Sequence, residues 1–292
     1  MNTIAFAGLG AMGLPMAKNL LAAGHRVRGI DLNPAALATL AAAGAEPAAD
    51  AASAARGADV LVLMVVNAAQ AEQVLFADGA LQALDDGAIV CLMATCPPAA
   101  VERIATRVTE AGRRFVDAPV SGGTAGATAG SLTIMAACAR PTFDALQPVF
   151  QAIGQRIFHV GERAGQGATV KTVNQLLCGV HIAVVAEAFA LAAKVGVDLE
   201  VLLEIMGGSA AASWMLKDRG PRMLQAAPEV SSAVDIFVKD LGIVLEAGRD
   251  AKAALPIAAV AHQLFLATSG RGDGRADDSQ VIRSYYALNG RA

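Results

Sequence analysis

Apolar positions fall into two regimes along this chain. In the first, short apolar runs alternate with helical patterns. Thr3 to Ala7 reads as a strand, a helical pattern follows Gly13 to about Ala23, and Arg26 to Ile30 reads as a second strand. Val60 to Val66 is a buried strand, Ala68 to Phe76 a short helix, Ala88 to Met93 a strand, Pro98 to Ala111 a helix and Arg114 to Ala118 a strand. Ser131 to Ala137, Pro141 to Ile153 and Arg156 to Val160 continue as strand, helix and strand. Alternation of this kind predicts an α/β fold with a doubly wound parallel sheet. In the second regime every pattern is helical: Leu199 to Met206, Trp214 to Gln225, Ala233 to Asp250, Pro256 to Thr268 and Asp278 to Ala287. The change predicts two domains, 1–161 built on the sheet and 162–292 all-helical. Arg271-Gly272-Asp273-Gly274 reads as a mobile loop.

Gly165 to Val195 joins the two regimes. It has strong helix formers, no proline and apolar residues on every face, so it predicts one long interdomain helix buried all round. Lys171 and Asn174 lie three positions apart near its start, which puts both on one face. Burying an unpaired ammonium is expensive. Either Lys171 snorkels to solvent or it has a chemical task.

Between the first strand and helix stands Gly8-Leu9-Gly10-Ala11-Met12-Gly13. Glycines here let a pyrophosphate approach a helix N-terminus, where unpaired N–H groups and the dipole favour negative charge. The second strand ends at Asp31, placed to accept hydrogen bonds from ribose hydroxyls, and together these predict a Rossmann-type dinucleotide site. Asp31 would repel a 2'-phosphate, and Leu32-Asn33-Pro34 supplies no arginine, so NAD is expected over NADP. Read without a cofactor, the glycines are a tight turn and Asp31 a helix cap before Pro34.

Parallel sheets bind ligands beyond the carboxyl ends of their strands. That makes Val65, Val66, Asn67, Thr95 and the loop Asp117-Ala118-Pro119-Val120-Ser121-Gly122-Gly123 candidates for contact. Thr95 serves equally well as N-cap of the helix starting at Pro97 or Pro98. Ser121 with the amides of Gly122 and Gly123 suits a carboxylate, or the loop is a flexible surface turn.

The net charge of -3 and a pI of about 5.8 leave no basic surface for nucleic acid. The adjacent pair Arg113-Arg114 is expected as a solvated strand start. At 292 residues and 55% apolar content the chain can fill two cores. Cys91, Cys96, Cys138 and Cys178 lack metal-ligand spacing, so no metal is expected and a reduced cytoplasmic setting fits. The most apolar run, Thr172 to Ala186, falls short of the ~20 residues that span a bilayer, so no membrane partner is expected.

These motifs, in this order along the whole chain, resemble the β-hydroxyacid dehydrogenases, the family of 3-hydroxyisobutyrate dehydrogenase and tartronate semialdehyde reductase. The resemblance rests on Gly8 to Ala17, Asp117 to Gly123, Gly167 with Lys171 and Asn174, and Lys239-Asp240-Leu241. Gln175-Leu176-Leu177, Gly179-Val180-His181, Ser213-Trp214-Met215, Ser232 to Leu241 and Asp277-Asp278-Ser279 look most like the L-threonate dehydrogenase branch. Met93-Ala94-Thr95, Val65-Val66 and Gln70 depart from the family pattern on the nicotinamide side.

The resemblance implies hydride transfer between NAD and a small hydroxy acid, with L-threonate to 2-oxo-tetronate the best match. Semialdehyde reduction (tartronate, methylmalonate or succinate semialdehyde) and imine reduction are alternatives on the same fold. It implies that Lys171 is the general acid/base and that Asn174 holds the reacting oxygen. Ser121, Gly122 and Gly123 would hold the substrate carboxylate, and Lys239, oriented by Asp240, would contact cofactor or substrate. A free lysine titrates at about 10.4, so burial or a nearby cation such as Lys239 is expected to lower Lys171. His181 is expected in the core or lining the pocket. Trp214 is expected in core or dimer packing or as a substrate wall. The apolar helical domain predicts a homodimer or homotetramer.

Overall fold

The computed structural model describes residues 1–290. The chain forms two compact units, Met1–Lys171 and Thr172–Ala292, and the division falls inside one continuous helix, Gln166–Lys194.

In the first unit the strands are β1 (Thr3–Ala7), β2 (Arg26–Ile30), β3 (Val60–Leu63), β4 (Ile89–Leu92), β5 (Arg114–Asp117), β6 (Val120–Ser121), β7 (Leu132–Ala137) and β8 (Gly154–Gly161). They form one sheet in the order β2-β1-β3-β4-β5-β7-β6, with β8 also paired to β7. Pairing is parallel from β2 through β5, whereas β7 runs antiparallel to β5 and β6. The parallel part thus follows the expectation, and the edge adds an antiparallel turn.

Side-chain alternation explains the two apolar layers. Ile4, Phe6, Val60, Val62, Ile89, Cys91 and Val116 enter one core, while Ala5, Ala7, Leu61, Leu63, Val90, Leu92 and Phe115 enter the other. Strands covered on both faces lose the polar alternation of a one-sided sheet, which is why they read as solid apolar runs.

Several expectations change in detail. Ala68–Glu72 is α-helical but continues as a π-helical turn, Gln73–Ala77. The expected helix from Pro141 to Ile153 is two, Arg140–Ala145 and Gln147–Ile153, because Pro148 has no N–H to continue the ladder. Arg113 is not solvated: its guanidinium donates to the carbonyls of Ala111 and Leu84 and lies 3.4 Å from Asp86.

The second unit is helical as expected: Leu199–Gly207, Trp214–Met223, Val234–Asp250, Pro256–Thr268 and Ile282–Leu288 surround a core of Phe189, Leu216, Phe237, Leu241, Phe265 and Ile282. The last helix is preceded by a 3-10 turn, Asp278–Val281. Arg271 to Gly274, expected as a mobile loop, is a turn held by Arg283 to Asp273 at 2.7 Å.

The long helix is not buried all round. Val170, Leu177, Val184 and Leu191 recur at heptad intervals and are 41%, 50%, 52% and 63% exposed, with Val173 beside them. Uniform apolarity concealed this because one apolar stripe faces the core and another does not. At 29 residues the helix is long and apolar enough to cross a membrane by length and composition, contrary to the expectation from its uncharged run. Its Ile182, Ala186, Phe189 and Ala190 pack into the helical core. His181 is exposed and so not a core residue, and Trp214 is 55% exposed beside Arg219, so it is not a core residue either.

Candidate active site

β1 ends where the chain must turn sharply. Gly8 has φ +94°, and a Cβ there would come 2.4 Å from the Met64 carbonyl oxygen. A Cβ on Gly13 would come 1.8 Å from the Gly8 oxygen, so both positions require glycine. Around Gly10, by contrast, a Cβ would meet nothing within 4 Å. The first backbone bond of the following turn runs from Leu14 N to Gly10 O. Among the described residues, the amides of Gly10, Ala11 and Met12 therefore have no backbone acceptor, and they stand at a helix N-terminus.

Asp31 closes the cradle. Its carboxylate accepts from Leu9 N at 2.5 Å and Asn33 N at 2.7 Å, tying the glycine turn to the end of β2. It does not cap the helix Pro34–Ala42, a task done by Asn33 through Ala35 N. An open glycine, unsatisfied amides and a fixed carboxylate fit the pyrophosphate and ribose of a dinucleotide.

At the end of β3, Val65 is half-buried and Val66 is 50% exposed. Gln70 accepts from Val66 N at 2.9 Å, and Asn67 caps the helix Ala68–Glu72 through Gln70 N. Asn67 thus serves the backbone. Thr95, beyond β4, is half-buried and does not cap Pro98–Glu110, whose N-cap is Pro97. The loop after β5 is no flexible turn: Val120 and Ser121 pair with Ile134 and Thr133 of β7. Gly122 (φ +134°) and Gly123 (φ +62°) then lead into the helix Gly123–Ala129.

Asp117, expected only as the first residue of a contact loop, has a structural task that the sequence did not show. It ends β5 at 1% exposure, and its Oδ2 accepts from the amides of Gly165 and Ala168 at 2.9 Å each. Burial pushes its pKa up to about 6, against backbone bonds from Ala168, Gly165 and Gly167 that hold it down. Gly167 fits because a Cβ there would come 2.6 Å from Met135 O and 2.7 Å from Asp117 O. The start of the long helix is thereby clamped to β5 and β7. An acidic residue closing an apolar strand was the available signal.

One turn beyond Ala168 lies Lys171, only 6% exposed. It does not snorkel. Asn174, one turn further on the same helix, is half-buried and donates to Gln175 Oε1 at 2.9 Å and Cys178 Sγ at 3.4 Å. Gln175 donates in turn to Asp240, whose other oxygen is 2.7 Å from Lys239 Nζ.

Residues 3–161 match the family model of the NAD-binding domain of 6-phosphogluconate dehydrogenase, and residues 165–285 match that of the NADP-dependent 3-hydroxyisobutyrate dehydrogenase NAD-binding domain. The chain is 44% identical to an L-threonate dehydrogenase of Cupriavidus necator, over 98% of this chain and 97% of that one. A 3-hydroxyisobutyrate dehydrogenase from Salmonella typhimurium superposes with a TM-score of 0.91 at 41% identity, covering 96% of this chain and 98% of the other. A 3-hydroxyisobutyrate dehydrogenase from Mycobacterium tuberculosis, solved with L-serine, does so at 0.86 and 29% identity, covering 97% and 99%. Related to these enzymes over nearly its whole length, this chain belongs to the β-hydroxyacid dehydrogenase family of nicotinamide-dependent oxidoreductases acting on CH–OH groups.

Proposed function

We propose that this enzyme oxidises L-threonate to 2-oxo-tetronate with NAD, using Lys171 as general acid/base. The observation that carries the mechanism is Lys171 itself: an amine 6% exposed, one turn from a neutral amide, on a helix clamped at its start by Asp117. A lysine shielded from bulk water in this way is suited to removing a hydroxyl proton at Nζ during oxidation and returning it during reduction. When bound, the nicotinamide takes up the hydride.

The amides of Gly10 to Met12 would hold the pyrophosphate and Asp31 the ribose. Gly8, Leu9 and Gly13 shape that turn, and Val65, Val66 and Thr95 would line the nicotinamide side. Ser121, with the amides of Gly122 and Gly123, would hold the substrate carboxylate. Asn174 and Lys239 would contact the substrate, Lys239 through its place beside Asp240. Preference for NAD follows from the fixed Asp31 carboxylate, whose charge opposes a 2'-phosphate. L-threonate is supported by the 44% identity to the Cupriavidus enzyme.

We also propose a homodimer or homotetramer, because the heptad stripe Val170, Leu177, Val184 and Leu191 leaves apolar surface that a second copy would cover. A monomeric sedimentation profile at micromolar concentration would contradict it. The four free thiols fit a reducing, cytoplasmic setting.

The test is initial rates with NAD and NADP on L-threonate, D-glycerate, 3-hydroxyisobutyrate, 4-hydroxybutyrate and L-serine. L-threonate with NAD is expected to dominate. Dominance of another acid, or reaction only with semialdehydes or imines in the reductive direction, removes the substrate assignment.

A further inference from the structure

The long helix is capped from a distance. A helix start is ordinarily capped by its own neighbouring residue, Ser, Thr, Asp or Asn, which satisfies amides but leaves the helix free to turn relative to a sheet. Here the acceptor comes from the end of β5, 48 and 51 positions away in sequence, and its Oδ2 takes the amides of Gly165 and Ala168 at 2.9 Å each. Contact is fixed from a second side as well. A Cβ on Gly167 would come 2.6 Å from Met135 O of β7 and 2.7 Å from Asp117 O, so only glycine lets the helix lie this close. Rotation and depth of the helix start are thereby both set against β5 and β7.

Lys171 inherits that setting. It follows Gly167 by four positions and Ala168 by three, so at 3.6 residues per turn it rises from the same face, about 40° from Gly167 and one turn on. The strand end that holds the helix also leads, through Pro119 and Val120, into Ser121. One carboxylate thus stands at the root of both the lysine and the loop. For a side chain reaching about 6 Å from the helix axis, a turn of about 10° moves its tip by about 1 Å. A displacement of about 1 Å can cost about 10²-fold in rate. Nor does the carboxylate serve stability, since burial pushes its pKa up to about 6 and the charged form weighs against the fold at neutral pH.

We propose that Asp117 is a positioning residue for hydride transfer: by capping the long helix from the end of β5 it fixes the Lys171 amine relative to the loop Ser121-Gly122-Gly123. The inference rests on the reading of Lys171 as general acid/base given above. Asp117 acts through the lysine, not on the substrate.

The full-length enzyme at pH 7, with NAD and the best hydroxy acid of the panel above, tests this. Single-turnover rate of NAD reduction, NAD affinity and urea unfolding are measured on the same samples. Asp117→Asn keeps the side-chain size and one oxygen for Gly165 and Ala168, but sets an NH2 group against the Gly167 amide from which the carboxylate accepts. It is expected to lower the rate about tenfold or more, with NAD affinity within about twofold and an unfolding midpoint no lower than wild type. Ile153→Val, in the sheet core at 0% exposure, is expected to lower the midpoint and leave the rate unchanged. An Asp117→Asn rate equal to wild type, a rate loss matched by a fall in midpoint or in NAD affinity, or an equal rate loss in Ile153→Val overturns the inference. Lys171→Ala separates the two possible failures. If it loses about 10²- to 10⁴-fold while Asp117→Asn is unchanged, the positioning alone falls; if it keeps full turnover, the site reading falls and the positioning with it.

Discussion

The sheet unit and the helical unit bury polar groups by different means. In the first, Asp117 is satisfied by backbone amides at the start of a helix. In the second, Arg219 donates to both oxygens of Asp278 at 2.9 and 2.7 Å, and Arg222 pairs with Asp277 at 2.7 Å and with Asp218. The Lys239-Asp240-Gln175-Asn174 relay is also made of side chains. The difference follows from the backbone. Strand ends and glycine turns leave amides to spare, whereas inside a helix every amide is committed to its own ladder. Within the helices, buried charge is therefore met by side chains, and backbone amides serve only where the chain leaves a helix, as Ser231 N and Ser279 N do for Asp277.

Breaking the helical unit's network should have the largest effect. Arg219→Ala leaves the Asp278 carboxylate buried with its main partner gone, and is expected to cost about 3–5 kcal/mol in urea unfolding. A loss below about 1 kcal/mol would show that the network is not what holds these helices.

The sheet unit's version should show itself in pH dependence. Asp117 has its pKa raised from 3.8 to about 6, so the charged form carries a burial cost in the fold. Its stabilising contribution is therefore fully present below 3.8 and is lost as pH rises through about 6. The gap corresponds to roughly 3 kcal/mol. Asp117→Asn, which does not titrate, is expected to gain on wild type by about that amount between pH 4 and pH 7 in paired unfolding curves. Parallel curves would place the cost elsewhere.

The smallest effect sharpens the comparison, because it moves the same chemistry to the surface. Ser213 caps Trp214–Met223 by accepting from Leu216 N at 3.0 Å, but it is half-exposed. Ser213→Ala is expected to cost about 1 kcal/mol with no pH dependence, since water can replace the hydroxyl.

Much of this was legible in the chain. Gly8, Gly10, Gly13 and Asp31 announce the cradle because backbone geometry demands glycine at Gly8 and Gly13. Lys171 announces itself by being a cation in an apolar helix. What stayed hidden depends on long-range contact. Nothing local says that Asp117 clamps residues some fifty positions away, or that Gln175 meets Asp240. Val120 and Ser121 look like loop because two residues carry no period, and they become strand only when β7 pairs with them. The exposed stripe on the long helix was masked by apolar residues on all its faces.

The central claim is that Lys171 moves the proton. The most direct measurement is single-turnover NAD reduction by Lys171→Ala and wild type with the best hydroxy acid, with cofactor binding followed in parallel. A fall of about 10²- to 10⁴-fold in rate with NAD affinity retained is the predicted result. Full turnover by the variant would contradict the account.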